Sequence, residues 1–308
     1  MIVERMARDL GLSSAFILSI ARGASHEYKA YNIPKRTGGF RPIHHPSKRL
    51  KALQRWLLAN VIENLPVHRT AKAYRKGQSI FNNATVHASS RYLLRMDLTN
   101  FFPSITQVDI AKYIGERPAL FSDSGWLPSD IDVFCKLVCR NSVLTIGAPT
   151  SPALSNAICF EMDAQLEALC ARGQVTYTRY ADDLFFSTER PNVLRGLENE
   201  VTKVISDLTV PGGLQVNDKK TRHSSKRGAR RVTGVVLGSD GQPYIGRRFK
   251  RKIRALVHKF DSLNGATRAS LSGMIAYASG FDPQFVNSLI TKYGLNAVQK
   301  AMAGSGID

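Results

Sequence analysis

Apolar residues recur along this chain at two periods. Leu50, Leu53, Leu57 and Val61 fall three or four apart, which predicts a helix over 46–64. The same spacing predicts helices over 106–116, 130–139, 155–171 and 193–208. Leu154, Ile158, Met162, Leu166 and Leu169 share one face of the third. Residues 1–25 read as a helical lead-in and 77–90 as another helix. From Arg247 on the pattern stays helical, over 247–261, 267–279 and 283–302. Alternating or β-branched runs predict strands over 92–98, 175–180 and 184–187, with short ones at 214–216 and 232–237. A further turn and strand start at Gly241. Two runs, 31–33 and 40–44, flank Gly38–Gly39 and predict a small hairpin. Residues 118–128 read as a loop and 147–152 as a proline-bounded turn. This order predicts an α+β core followed by a small helical domain.

Composition narrows the partners. A chain of 308 residues with 43% hydrophobic and 22% charged residues is long and apolar enough to fold around a real core. Its formal charge is +19. Residues 29–76 hold 12 Lys or Arg and one acid, Glu63; residues 219–259 hold 14 and one acid, Asp240. The rest of the chain is net negative. A solvated surface mixes its signs, whereas two separated basic blocks suit two walls of a groove around a phosphate backbone. An anionic membrane is the weaker partner, since no apolar run nears the roughly 18 residues that span a bilayer. The first residues carry charges where a signal peptide has an apolar stretch, so the chain is expected to work in the cytoplasm. Cys135 and Cys139 lie one helical turn apart with no second pair at zinc spacing, which reads as helix-core thiols.

The candidate chemistry is acidic. Tyr180–Ala181–Asp182–Asp183 lies between two strands, with Ala181, Asp182 and Asp183 expected as the linker. Adjacent carboxylates repel and are tolerated when a cation neutralises them. Asp97 ends its own strand, Leu-Leu-Arg-Met-Asp. If those strands are neighbours, Asp97 and Asp182 converge. Carboxylates in a basic cleft suit Mg²⁺, and a pair of such ions stabilises both oxygens of an in-line displacement. The bland alternative is a solvated Asp-Asp turn.

The ordered motifs resemble those of reverse transcriptases. Tyr-Ala-Asp-Asp at 180–183 resembles the family's catalytic motif, and residues 95–105 (RMDLTNFFPSI) its first aspartate motif. Residues 147–156 (GAPTSPALSN) resemble the segment beside the incoming nucleotide and template. Residues 217–221 resemble the next palm motif, with Lys220 at its lysine, and 231–234 the primer-grip region. Asn83–Ala84–Thr85–Val86–His87 matches the NAxxH pattern of retron reverse transcriptases, and Val232–Thr233–Gly234 their VTG signature. The resemblance covers roughly 28–260. One departure stands out: where the family usually has proline-glutamine-glycine, this chain has Thr145, Ile146 and Gly147.

The resemblance implies a right-hand polymerase fold: N-terminal helix and fingers over 1–90, palm over 91–240 with inserted fingers elements around 117–150, and a helical thumb over 241–308. It implies that Asp97, Asp182 and Asp183, with the Leu98 backbone carbonyl, hold two Mg²⁺ ions and that dNTPs are the substrates. It assigns the nucleotide site to Lys35, Arg36 and Arg41, one or more of which reach the triphosphate, and to Phe102 as steric gate, Ile146, Gly147 and Lys220. RNA and primer-template contacts fall to Val232, Thr233, Gly234, Arg247, Arg248, Lys250, Arg251 and Arg254. Asn83 and His87 either join RNA recognition or order the fold. The implied activity is RNA-directed DNA synthesis on a structured noncoding RNA, primed from an RNA 2′-OH. Its product is a branched RNA-linked single-stranded DNA (msDNA), and the system acts in antiphage defence beside a separate effector protein. The alternatives are a group II intron-like or diversity-generating reverse transcriptase, and an idle RNA-binding palm scaffold.

Overall fold

The computed structural model describes residues 1–35, 38–121 and 126–304. In chain order its elements are α1 (Ile2–Leu10), α2 (Ser14–Gly23), β1 (Tyr28–Pro34), β2 (Phe40–Pro46), α3 (Lys48–Asn60), α4 (Ile80–His87), β3 (Tyr92–Asp97), α5 (Gln107–Gly115), α6 (Pro128–Val138), α7 (Ser151–Ile158) and α8 (Phe160–Arg172). There follow β4 (Thr176–Tyr180), β5 (Asp183–Thr188), α9 (Val193–Ser206), β6 (Arg222–Ser225), β7 (Arg230–Val232), β8 (Val235–Leu237), β9 (Pro243–Tyr244), α10 (Arg247–His258), α11 (Gly265–Phe281), α12 (Pro283–Tyr293) and α13 (Leu295–Ala303). The chain divides into two compact units. One is Met1–Gln78 with Leu94–Arg222; the other is Ser79–Leu93 with the chain from His223 on.

In the first unit α1, α2, α3 and α6 pack together over Met6, Ile17, Leu50, Leu53, Leu57 and Phe134, all fully buried. Each such side chain contributes about 1.5–3 kcal/mol of burial free energy. The hairpin β1–β2 is antiparallel, with Ile33 opposite Arg41 and Tyr31 opposite Ile43. Strands β4 and β5 form a second antiparallel hairpin, and β3 lies beside β5. Helix α8 packs on β4 and α9 on β5. Leu184, Phe185 and Phe186 are consecutive and all buried, so both faces of β5 are covered.

In the second unit α4 packs on β7, β8 and β9. Near β3's first residues, the Leu93 carbonyl accepts from Ser224 Oγ at 3.5 Å and the Arg91 carbonyl from the Lys226 amide at 2.9 Å. Helices α10–α13 share a core of Ile253, Val257, Leu271, Ile275, Phe285, Leu289 and Val298. Among the described residues no helix is long and apolar enough to cross a membrane.

Outside the acidic turn, four expected elements differ from the structure. The helix over 155–171 is two, α7 and α8, with a turn at Cys159 (φ −81°, ψ 9°). One apolar stripe runs through both, so periodicity does not mark the break. The strand over 232–237 is the hairpin β7–β8, because Thr233 (φ 49°) and Gly234 (φ 90°) both turn left-handed and form its two-residue loop. Residues 214–216 form only an isolated bridge, Leu98 to Val216. The helix over 283–302 is broken at Gly294 (φ 84°) into α12 and α13.

Candidate active site

The site grows from the end of β3 and the β4–β5 turn. Tyr180 pairs with Asp183, so the linker is two residues, Ala181 and Asp182, and Asp183 already belongs to β5. Ala181 is left-handed (φ 57°), which sharpens the turn. The Leu98 amide donates to the Asp182 carbonyl at 2.9 Å, and the Asn217 amide to the Asp97 carbonyl at 2.8 Å. These bonds fasten the Asp97 strand end to the Asp182 turn and to the segment carrying Lys220. Asp97 is buried, and its Oδ1 accepts from Lys220 Nζ at 2.8 Å.

The two neighbouring aspartates have different surroundings. Burial raises the Asp182 carboxyl above the usual carboxylate range; Asp97 adds to the rise, and Lys220 and Arg41 oppose it. Asp183 instead accepts from Arg95 Nη2 at 2.8 Å and Nε at 3.1 Å, on β3. Burial still pushes its carboxyl up to about 6, against the pull of Arg95. The ordinary value is 3.8, so between those two pH values the folded state binds the extra proton. The resulting stability is fully present below 3.8 and is lost as pH rises through about 6. The metal-free protein in EDTA is therefore expected to show a falling thermal midpoint over that window, and Asp183→Asn a smaller fall. A variant profile parallel to the wild type would contradict this.

The donor set fits a hard divalent cation. Among the described residues no group of three or more His, Cys, Asp or Glu stands ready to hold a metal alone. A buried carboxylate at Asp97 and a half-buried one at Asp182 on the adjoining turn, each feeling the other's charge, suit Mg²⁺, which keeps waters and takes substrate phosphates as its other ligands. The Lys220 ammonium on Asp97 shows the positive charge that this pair calls for.

Below the turn lies a charged network that sequence reasoning missed. Arg179, fully buried, donates from Nε to Asp163 Oδ1 at 2.8 Å, from Nη2 to Oδ2 at 2.6 Å, and from Nη1 to Asn156 Oδ1 at 3.0 Å. Its Nη1 also lies 3.4 Å from the Ala181 carbonyl. Tyr177 Oη adds a bond to Asp163 at 2.9 Å. A charged residue inside a strand otherwise made of threonine and tyrosine, next to the acidic turn, is the signal that could have found it.

The remaining assignments separate by unit. In the first, Phe101 is buried and Phe102 half-buried, their rings 5.4 Å apart. Arg41 lies on β2, and its charge is felt at Asp182. Lys35 is exposed beside the hairpin turn, its amide on the Gly39 carbonyl; Arg36 lies outside the described residues. The hairpin also grips the 145–147 loop. The His44 amide donates to the Ile146 carbonyl at 2.8 Å, and His44 Nδ1 lies 2.6 Å from Thr145 Oγ1. A Cβ at Gly147 (φ 111°) would run into the His44 carbonyl, so only glycine fits.

In the second unit, Asn83 and His87 are fully buried in α4. Val232 is buried too, Thr233 Oγ1 donates to the Ile80 carbonyl at 3.1 Å, and Gly234 is exposed. Arg230, also missed, is buried and donates to the carbonyls of Ala88, Ser90 and Gly238. Arg247, Arg248, Arg251 and Lys252 are exposed along α10. Lys250 is turned inward instead, 2.6 Å from Asp282 and against the rings of Tyr244 and Phe285. Arg254 is half-buried over Phe285.

Comparison with known proteins gives the family. The family model for reverse transcriptase (RNA-dependent DNA polymerase) matches residues 33–246. Retron Ec83 reverse transcriptase of Escherichia coli is 36% identical over 290 residues, covering 92% of each chain. Retron Mx65 reverse transcriptase of Myxococcus xanthus is 33% identical, covering 91% of this chain and 68% of its own. Among solved structures, a foamy viral protease-reverse transcriptase in complex with double-stranded DNA aligns with a TM-score of 0.52 at 16% identity, over 90% of this chain and 43% of its own. The chain belongs to the reverse transcriptases, within the retron group. It is an RNA-directed DNA polymerase with the α+β polymerase fold expected from its motifs, and its partners are RNA and DNA. The family uses divalent metal ions and dNTPs.

Proposed function

We propose that this chain copies part of a structured noncoding RNA into single-stranded DNA, starting from a 2′-hydroxyl of that RNA. The product is a branched, RNA-linked DNA. The observation that carries the catalytic part is the bond from the Leu98 amide to the Asp182 carbonyl, which sets the Asp182 turn beside Asp97.

Asp97 and Asp182, with the Leu98 carbonyl, hold Mg²⁺. When bound, two such ions make the attacking hydroxyl more acidic and neutralise charge on the reacting phosphate. The sugar hydroxyl gives up its proton to solvent as its oxygen forms a bond to the α-phosphorus; the α–β anhydride bond breaks, and pyrophosphate leaves with that electron pair. Asp183, held by Arg95, supports the pair and keeps the turn in register. Arg41 and Lys35 bind the triphosphate, and Lys220 serves the pyrophosphate side. Phe102 excludes a ribose 2′-OH, while Ile146 and Gly147 line the nucleotide. Arg247, Arg248 and Arg251, exposed on one helix, bind RNA phosphates together with the Thr233–Gly234 turn. Lys250 and Arg254 steady that helix from its packed side. Buried Asn83 and His87 favour the fold-ordering role. The enzyme works in the bacterial cytoplasm, and a separate effector protein turns its product into antiphage defence.

The test is to extend the protein's own bound RNA with labelled dNTPs. The labelled product is expected to remain joined to RNA after denaturation and to shorten with RNase. A product that denaturation alone frees from RNA would contradict priming from the RNA.

A further inference from the structure

Tyr74 is the least expected residue around the site. Its backbone is left-handed (φ 59°), a conformation that costs a bulky side chain about 1–3 kcal/mol. The cost is not repaid by core packing, because Tyr74 is 48% exposed. Yet the chain leading into it is pinned. The Lys72 amide donates to the Arg179 carbonyl at 2.8 Å, and the Arg179 amide to the Thr70 carbonyl at 2.9 Å. This runs residues 70–72 along the strand that ends in the catalytic turn. Asn156 Nδ2 donates to the Ala73 carbonyl at 2.8 Å, and Arg75 Nη1 to the Ala71 carbonyl at 3.2 Å. The Arg179 strand and Asn156 thus hold the segment that delivers one strained, half-exposed ring, and Arg75 closes back onto it.

That place is beside Phe102. The two rings lie 6.3 Å apart at 37°, and Phe101 lies 5.4 Å from Phe102. Burial and the Asp182 carboxylate both raise the Tyr74 phenol, which puts it within electrostatic reach of the catalytic turn. An aromatic gate excludes a hydroxyl only if it resists displacement. Phe101 is locked in the core; Tyr74 is the ring that braces Phe102 from the accessible side.

The geometry points to Tyr74 as a specificity-determining residue that holds Phe102 against the ribose 2′-OH. The inference rests on the reading of Phe102 as the sugar gate. Without the Tyr74 ring, Phe102 gains room to rotate away and the 2′-OH is admitted. The contact is with the ring, so phenylalanine replaces tyrosine here and alanine does not.

The test compares kcat/KM for dGTP and GTP on a poly(rC)–oligo(dG) duplex, using the full chain. Tyr74→Ala is expected to narrow the preference for dGTP by about tenfold, through a lower KM for GTP. Tyr74→Phe is expected to hold the preference near the wild-type value, and Phe102→Ala to narrow it further. If Phe102→Ala narrows the preference while Tyr74→Ala slows both nucleotides equally, the bracing role is overturned and the gate stands. If neither variant narrows it, the gate reading fails and the bracing role with it.

Discussion

Asp182→Asn is expected to cut DNA synthesis by about a thousandfold or more, while the protein keeps its fold. The reason is electrostatic. Asp182 sits at the tip of a two-residue turn fixed to the Asp97 strand end, and each carboxylate raises the local demand for a cation. On the proposed reading, removing one charge leaves a single carboxylate to hold a metal whose protein ligands would already be few. A loss of several kcal/mol of charge stabilisation corresponds to about three orders of magnitude in rate. Asp97→Asn is expected to match it. Asp183→Asn is expected to retain more activity, because Asp183 faces Arg95 rather than Asp97. Primer extension at saturating dNTP, alongside thermal unfolding, separates the cases. Equal losses at Asp182 and Asp183 would show that the structure misassigns their roles.

The second large effect concerns stability. Asp163→Ala is expected to destabilise the protein by about 3–5 kcal/mol, because it strands a fully buried guanidinium. Burial weakens the hold of Arg179 on its proton and makes its charge costly; Asp163 more than reverses this. Tyr177 and Arg179 would lose three hydrogen bonds to Asp163 between them. For a unit of this size the thermal midpoint should fall by about 10 °C. Replacing both partners, Asp163→Leu with Arg179→Met, is expected to recover much of the loss, since neither charge is then left unpaired. A midpoint within a degree of wild type in Asp163→Ala would mean that the pair contributes little. The network also touches the Ala181 carbonyl, so its loss should blunt activity as well.

The acidic site was legible in the sequence because its signal is local. Asp97 ends a strand whose buried residues include Leu94 and Met96, and Asp182 sits between two strands of strong β character. Short, apolar flanks fix such positions within a residue, although Asp183 moved from the linker into β5. Breaks inside apolar stripes were not legible. At Cys159 the core-facing period continues while the backbone turns, and hydrophobicity carries no mark of it. Gly294 did carry a mark, a glycine within a helical pattern.

The retron motifs show a different limit. NAxxH was readable as a helix face, but whether Asn83 and His87 point to RNA or to the core depends on which elements cover α4. Strands 140 residues further on, β7 to β9, do so, and no local pattern encodes that pairing. The basic stretch after Tyr244 was likewise read as one surface. The structure sorts it into exposed Arg247, Arg248 and Arg251, and inward Lys250, whose partner Asp282 begins another helix. Arg179, Asp163 and Tyr74 escaped because their partners lie on other elements, 14 to 28 residues away and outside any helical or strand period.

The most direct test of the account is to purify the protein from its native host and sequence the nucleic acid that accompanies it, before and after RNase. The account predicts a small DNA of defined length joined to one short RNA, absent when Asp182 and Asp183 are both replaced by alanine. Heterogeneous RNA with no attached DNA, unchanged in that double variant, would contradict it.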